Sequence, residues 1–491
     1  MANDRLSALD SSFLHLEENQ PSHMHVASVT IFEGKAPDYD DFIDGIGARL
    51  HLVPRYRQKL AFVPLGQGRP RWVDDPTFNI NYHVRATALP PPGGEEQLRV
   101  LAGRVFSQRL DRDKPLWEVW LVEGLDGNRF ALLSKVHHAL VDGVSGADLM
   151  TVLFDIGPEP ATPPEPAQQW HPRPLPSSSQ LLAEALLERT TEPGEIVRTV
   201  RHAFRGPRQF ARNTLEAAGG LGALARGTLR PAPASPYNGD IGPHRRFTWV
   251  RVRLDDVKAI KNSLGGTVND VVLATVTGGL RRHLHARGVS TQDLTLRAMV
   301  PVSVRSDLEQ GALGNRVAAV MAPLPVWCDN PVVCLDVVRD AMRNLKSSGQ
   351  AVGAEVLTRI GGFAPPTIMA QATRMAARQR AFNLVVTNVP GPQFPLYVQG
   401  RKLLDVFPMV PLATNQRLGM ALMSYNGEIN FGLIADYDSM PDLEDVARHL
   451  AEALEALAEA AGVTLSTVGI GPAATTARTT THALQGQGSG S

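Results

Sequence analysis

Apolar and polar positions alternate along several short stretches, and others repeat every three to four residues. In HMHVASVTIF (residues 23–32) and NINYHVRAT (79–87), β-branched and aromatic residues are frequent and alternate, which predicts strands. WEVWLVEGL (117–125) and RFALLSKVHH (129–138) are two further strands, joined by a turn at Asp126-Gly127-Asn128. Between them in kind is EEQLRVLAGRVFSQRL (95–110), where Leu98, Leu101 and Val105 share a helical face. SGADLMTVLFDI (145–156) predicts a short helix with Ser145 as its N-cap. Later come a strand FTWVRVRL, helices over 255–263 and 268–286, a strand LTLRAMVPVS and a helix over 333–348. Strands over 383–387, 417–425 and 429–436 and a closing helix, LEDVARHLAEALEALAEAAG, complete the pattern. Both halves mix element types, so the fold class is α/β (α+β).

Proline and glycine punctuate this order. GPEPATPPEPAQQWHPRPLP (157–176) holds eight prolines in twenty residues, which no helix interior or central strand tolerates. PAPASPYNGDIGP (231–243) is a second break. The chain divides into a first unit over 1–156, a crossover with an Arg-bearing helical segment over 157–245, a second unit over 246–468, and a small-residue tail over 469–491 that reads as unstructured.

Composition removes several function classes. Lys plus Arg and Asp plus Glu both total 49, so a basic excess of the kind nucleic-acid binders carry is missing. Two cysteines, Cys328 and Cys334, support neither a disulfide framework nor a Cys-rich zinc fold, and they fit a reducing cytoplasm. No stretch reaches the ~20 apolar residues of a spanning helix, so membrane contact is expected to be peripheral.

The chemistry concentrates in HHALVDG (137–143), directly after the strand RFALLSKV. If the strand runs through both histidines, their side chains point to opposite faces. They then cannot share one reaction centre: one imidazole does chemistry and the other supports the fold. A neutral imidazole titrates near pH ~6.5 and is the usual group for deprotonating a hydroxyl in place. No G-x-S-x-G elbow accompanies it, which points to direct transfer with a base activating the acceptor. Asp142 either orients His138 or fixes the loop by pairing with an arginine, the candidate being Arg305; Gly143 turns the chain there. A metal bound by His, His and Asp is the competing reading.

HHALVDG fits the HHxxxDG motif of acyltransferases similar to chloramphenicol acetyltransferase and condensation domains. RLSALDSSFLHLE (5–17), the Pro115-Leu116-Trp117 element, the Asn269-Asp270 pair, MVPVSVRSDLEQGALGNRVAAVMAPLP and NLVVTNVPGP (383–392) narrow the resemblance to the bacterial wax ester synthase/diacylglycerol acyltransferase family. The resemblance implies two chloramphenicol-acetyltransferase-like domains with a substrate tunnel at their interface. It implies His138 as general base and Asn269 as the oxyanion donor, with His137, Asp142, Gly143, Asp270 and Arg305 holding the site. Pro115, Leu116, Trp117, Asn388, Pro390 and Gly391 are expected along the tunnel, although each has a packing or turn role open to it; so has Asn269, as a helix N-cap competing with Thr267. Long-chain acyl-CoA is the implied cosubstrate and diacylglycerol or a fatty alcohol the acceptor, with no metal or bound cofactor.

Such substrates imply a cytoplasmic enzyme visiting the inner membrane face or a lipid droplet. Arg198, Arg201, Arg205, Arg208 and Arg212 recur at spacings of three and four and form one basic stripe on a helix, interrupted at Gly206-Pro207. That stripe suits anionic headgroups, or it is the solvated face of a crossover helix. An acyltransferase of specialised-metabolite hydroxyls and a non-catalytic lipid-binding paralogue are the rival functions.

Overall fold

The computed structural model describes residues 5–17, 21–140, 153–163, 169–191, 231–303, 317–347, 380–466 and 468–469. Its first helix, α1 (Ala8–Leu16), starts at Ser7, whose hydroxyl accepts the Asp10 N–H. Next come β1 (His25–Glu33), α2 (Tyr39–Arg49), a hairpin of β2 (Gln58–Ala61) and β3 (Arg71–Asp74), the single turn α3 (Ile80–His83), and β4 (Val84–Ala88). The strand expected from residue 79 therefore begins late. Asn79 takes the Asn81 N–H on its side chain and holds a helical turn, so extended chain starts only at Val84.

α4 (Glu95–Ser107), β5 (Trp117–Leu125) and β6 (Arg129–His137) follow the sequence pattern, and α5 (Ser178–Thr191) lies in the crossover. The second half runs β7 (Arg245–Arg253), α6 (Leu254–Leu264), α7 (Val268–Ala286), β8 (Leu296–Ser303), β9 (Val317–Leu324), α8 (Pro331–Ser347) and β10 (Leu384–Pro390). It ends with β11 (Tyr397–Val398), β12 (Arg401–Met409), β13 (Leu418–Tyr425), β14 (Glu428–Asp436), α9 (Leu443–Ala461) and β15 (Val468–Gly469). The helix start at Ser145, the Arg198–Arg212 stripe and the tail from residue 470 lie outside the described residues.

Among the described residues the strands form a sheet in the order β11-β12-β1-β6-β5-β4 and a second in the order β15-β7-β14-β13-β10-β8-β9. β12 comes from the second half of the sequence, yet it pairs antiparallel with β1, placing Ala27 opposite Met409 and Ser28 opposite Pro408. The sheets thus do not follow the sequence division at 246: residues 397–409 complete the first sheet. Apolar patterning shows that a strand needs burial, but not which sheet edge will accept it.

Three apolar clusters result. One packs α2, Trp117 and Phe130 on the outer face of the first sheet. Another fills the space between the second sheet and α6, α7, α8 and α9. The third joins the halves, with Val29, Leu133, Phe106, Trp249, Phe407 and Ile434 in one continuous core. Glycine permits the close approach: a Cβ at Gly432 would collide with the Pro408 main-chain oxygen, and one at Gly103 would lie 2.8 Å from Arg245 O. Across the same seam Arg251 reaches Glu95 at 2.7 Å and Asp405 at 3.0 Å.

Candidate active site

The end of β6 is fixed by its neighbours. His137 sits opposite His25 of β1, and its N–H donates to Leu116 O at 3.0 Å. The chain then leaves the strand. Leu140 N–H returns to His137 O at 2.8 Å, while His138 N–H donates to Met24 O at 2.7 Å. β6 therefore stops at His137, and His138 lies on a turn rather than on the next pleat as the alternation argument assumed. The two rings still reach different surroundings, because the turn does what the pleat was expected to do.

His137 is 1% exposed. Its Nδ1 accepts the Ala139 N–H at 3.0 Å, which assigns the ring proton to Nε2, and Nε2 faces Glu17 Oε1 at 3.2 Å. Glu17 is buried and also accepts from Met24 N–H at 2.5 Å and from Arg112 at 2.7 Å, with His25 Nε2 at 3.7 Å. Burial alone would raise its pKa. The facing His137, His25 and Arg112 outweigh burial and hold the carboxyl well below the usual carboxylate range. Glu17 stays charged.

His138 is half-buried, and the Phe13 ring from α1 lies over it at a centroid distance of 4.0 Å. Its Nδ1 is sealed from solvent and has no hydrogen-bond partner among the described residues. Burial pushes its pKa down to about 4, against the upward pull of its own main chain and with a further downward push from His137. The ring is neutral at physiological pH and can accept a proton.

Beneath the turn, Lys135 is fully buried. Its Nζ donates to Val105 O and Gln108 O at the end of α4 and lies 2.6 Å from Glu118 Oε1. The ammonium holds the helix C-terminus against β6. His23, on the neighbouring segment, is pushed down to about 4 by burial and by Arg245 and Arg109.

The other expected residues fall in several places. Asp142, Gly143 and Arg305 lie outside the described residues. Thr267, not Asn269, caps α7: its hydroxyl accepts the Asp270 N–H at 3.2 Å, and Asp270 answers with its carboxylate on Thr267 N–H at 2.8 Å. Asn269 is one residue into the helix and half-buried, leaving its amide outside the cap. Among the described residues no hydrogen bond joins it to His138. Leu116 and Trp117 are 0% and 1% exposed; the indole N–H donates to Tyr56 O at 2.8 Å, and the His83 ring stacks on it at 4.6 Å. These side chains are buried, and the Leu116 carbonyl holds His137. Asn388 and Pro390 lie where, among the described residues, β10 pairs with β13 alone, because β8 meets β10 there only at Leu384 and Val385. Gly391 N–H donates to Ser424 O at 2.8 Å, so close that a Cβ there would sit 2.5 Å from that oxygen. Among the described residues no group of three His, Cys, Asp or Glu side chains is arranged to hold a metal ion.

Sequence reasoning missed Glu17, Phe13, His25 and Arg112. Glu17 closes the opening block RLSALDSSFLHLE, but a glutamate after an amphipathic helix carries no local mark of burial.

The family model "Wax ester synthase/diacylglycerol acyltransferase catalytic domain" matches residues 6–272, which span HHALVDG, and "WS/DGAT C-terminal domain" matches 313–458. The chain belongs to the wax ester synthase/diacylglycerol acyltransferase family. It is an acyltransferase. It is 34% identical over 457 residues to the Mycobacterium tuberculosis (strain ATCC 25618 / H37Rv) protein named "Probable diacyglycerol O-acyltransferase tgs1", covering 92% of this chain and 96% of that one. It is 34% identical over 479 residues to "Probable diacyglycerol O-acyltransferase tgs2" of the same strain, covering 94% of this chain and 100% of that one. The solved wax ester synthase/diacylglycerol acyltransferase from Marinobacter aquaeolei VT8 superposes with a TM-score of 0.66 at 28% identity, over 94% of this chain and 100% of that one. A starter condensation domain of rhizomide synthetase, at 14% identity, 94% of this chain, 97% of that one and TM-score 0.57, shares the fold.

Proposed function

We propose that this acyltransferase moves a long-chain acyl group from acyl-CoA to the free hydroxyl of diacylglycerol, making triacylglycerol, with long-chain alcohols as further acceptors that give wax esters. The observation that carries the reading is a neutral, half-buried His138 on a turn whose preceding residue, His137, faces the charged Glu17. His138 Nε2 takes the acceptor's hydroxyl proton as the oxygen attacks the thioester carbonyl. The tetrahedral intermediate collapses with cleavage of the C–S bond, and the leaving thiolate takes the proton back from the imidazolium. Ester and free CoA leave. Asn269, whose amide is not spent on the helix cap, is assigned the donor to the oxyanion, a role worth about 3–4 kcal/mol where such a donor is lost.

Acyl-CoA is consumed as a cosubstrate, and no metal or resident cofactor takes part. The substrate passage is assigned to the seam between the two sheets, near the stretch where β8 and β10 part. Peripheral association with the inner membrane face or a lipid droplet suits an insoluble acceptor; no helix among the described residues is long and apolar enough to cross a membrane. The test is incubation of the purified full chain with radiolabelled acyl-CoA and a mixture of diacylglycerol and alcohols, followed by identification of the esters. His138→Ala should lower turnover by about 10²–10⁴-fold with an unchanged melting temperature. Equal turnover in the variant would remove His138 from the chemistry, and label found only in free fatty acid would make the chain a thioesterase.

A further inference from the structure

Residues 51–73 carry Arg55, Arg57, Lys59, Arg69 and Arg71 and no acidic residue. Pairing of Gln58 with Asp74 and of Ala61 with Arg71 makes residues 62–70 the tip of the β2–β3 hairpin. Turn tips are ordinarily polar, but here Phe62 is 47% and Leu65 84% exposed. Leu65 also has φ 59° and ψ 15°, in the left-handed region that glycine ordinarily fills, followed by Gly66 at φ 63°. The backbone thus presents a leucine to solvent where its own conformation disfavours one, and Leu65 joins none of the apolar cores.

The tip is braced from behind. Val63, Leu181 and Ala185 are buried, and a Cβ at Gly68 would lie 2.9 Å from Ala185 Cβ of α5. Charge is distributed by depth. The acids Asp74 and Asp75 sit at the base of the hairpin, where Gln58, Arg173 and Lys59 occupy them. Arg71 pairs with Glu184, while Arg55 and Arg57 lie over the Trp72 and Trp170 rings. Over residues 51–75 the hairpin carries five cations against the two acids Asp74 and Asp75, and an apolar tip on a net-positive hairpin complements a surface with anionic headgroups above an acyl interior.

We propose that the β2–β3 tip docks on an anionic phospholipid surface, Phe62 and Leu65 entering the headgroup–acyl boundary and the net positive charge of the hairpin drawing it to the headgroups. This deepens the proposed function and rests on it, since an insoluble acceptor must be collected from a surface.

The test uses the full chain and vesicles of equimolar phosphatidylglycerol and phosphatidylcholine. Leu65→Gly combined with Phe62→Ser should weaken vesicle binding about tenfold without lowering the melting temperature, because glycine suits the left-handed position. Leu65→Trp should show blue-shifted emission on these vesicles and quenching by lipids brominated in their acyl chains, with a smaller response on pure phosphatidylcholine. Unchanged binding of the double variant, or an unshifted and unquenched Trp, overturns the proposal. Transfer to a short, water-soluble alcohol separates the two ideas: its failure in the unmodified chain counts against the acyl-transfer reading, whereas its persistence alongside a failed docking test sinks docking alone.

Discussion

Replacing Glu17 with glutamine tests whether the N-terminal carboxylate organises the turn that carries His138. The substitution keeps shape and one oxygen but removes a buried charge shared by His137, Arg112 and Met24 N–H. Deleting one partner of a buried ion pair costs about 3–5 kcal/mol, and a hydrogen bond to a charged group is worth about 1.5–3 kcal/mol. Two features reduce the loss here: the Arg112 side chain is 30% exposed and can turn to water, and the glutamine oxygen can still take the Met24 N–H. The expected destabilisation is therefore about 2–3 kcal/mol, from the lower part of those ranges.

Its pH dependence follows from linkage. The folded pKa of Glu17 is held below its ordinary value, so its stabilisation is complete above pH ~4.5 and fades as pH falls from there toward the folded value. Urea unfolding of wild type and Glu17→Gln should show a constant gap from neutral pH down to about 5, closing below about 4.5. Because Glu17 acts on His138 indirectly, through His137 and the Ala139 N–H and through Met24, whose carbonyl holds His138 N–H, kcat should fall about tenfold while KM for acyl-CoA changes little. A variant as stable as wild type at pH 7, or a gap that persists unchanged into strong acid, would refute the charge argument. Normal kcat in a destabilised variant would leave Glu17 a role in stability only.

Two shorter predictions accompany it. His138 must be neutral to act as a base, and burial lowers its pKa to about 4, so kcat/KM should hold down to pH ~5 and fall below pH ~4; half-maximal activity near pH ~6.5 would show an unperturbed imidazole. Gly432→Ala should destabilise by about 3 kcal/mol or more, read from urea midpoints, because the new Cβ meets the Pro408 main chain where β14 crosses β12, and near-native stability would mean that the sheets can move apart at little cost.

Much of the fold was legible because its elements advertise themselves locally. α7 over residues 268–286 and β5 over residues 117–125 appear where periodicity places them, since each buries one well-defined face. Three features were not legible for physical reasons. β12 is not among the strands read from the sequence, and its membership of the first sheet depends on an edge offered by β1 far away in sequence. Asn79 converts an alternating segment into a helical turn through one side-chain hydrogen bond, which outweighs a weak strand preference. The PLW block suits a passage and a packed core equally well by residue type, so its sequence leaves both roles open; Leu116 and Trp117 are buried in this structure.

The motif HHALVDG marks the site without containing what sets its chemistry. His137 is fixed as an Nε2–H tautomer by the Ala139 N–H on its Nδ1, and the group that faces that proton is Glu17 at the end of α1. Glu17 can remain charged at that depth only because Arg112, just ahead of β5, and the Met24 N–H reach it. Met24 then uses its carbonyl to hold His138 N–H, so one short segment before β1 both hydrogen-bonds the buried carboxylate and pins the reactive histidine. The two adjacent histidines are thereby tied to the same N-terminal segment through opposite ends of one residue's backbone. A displacement of α1 must disturb both at once, and Phe13, stacked on His138 from that same helix, moves with it.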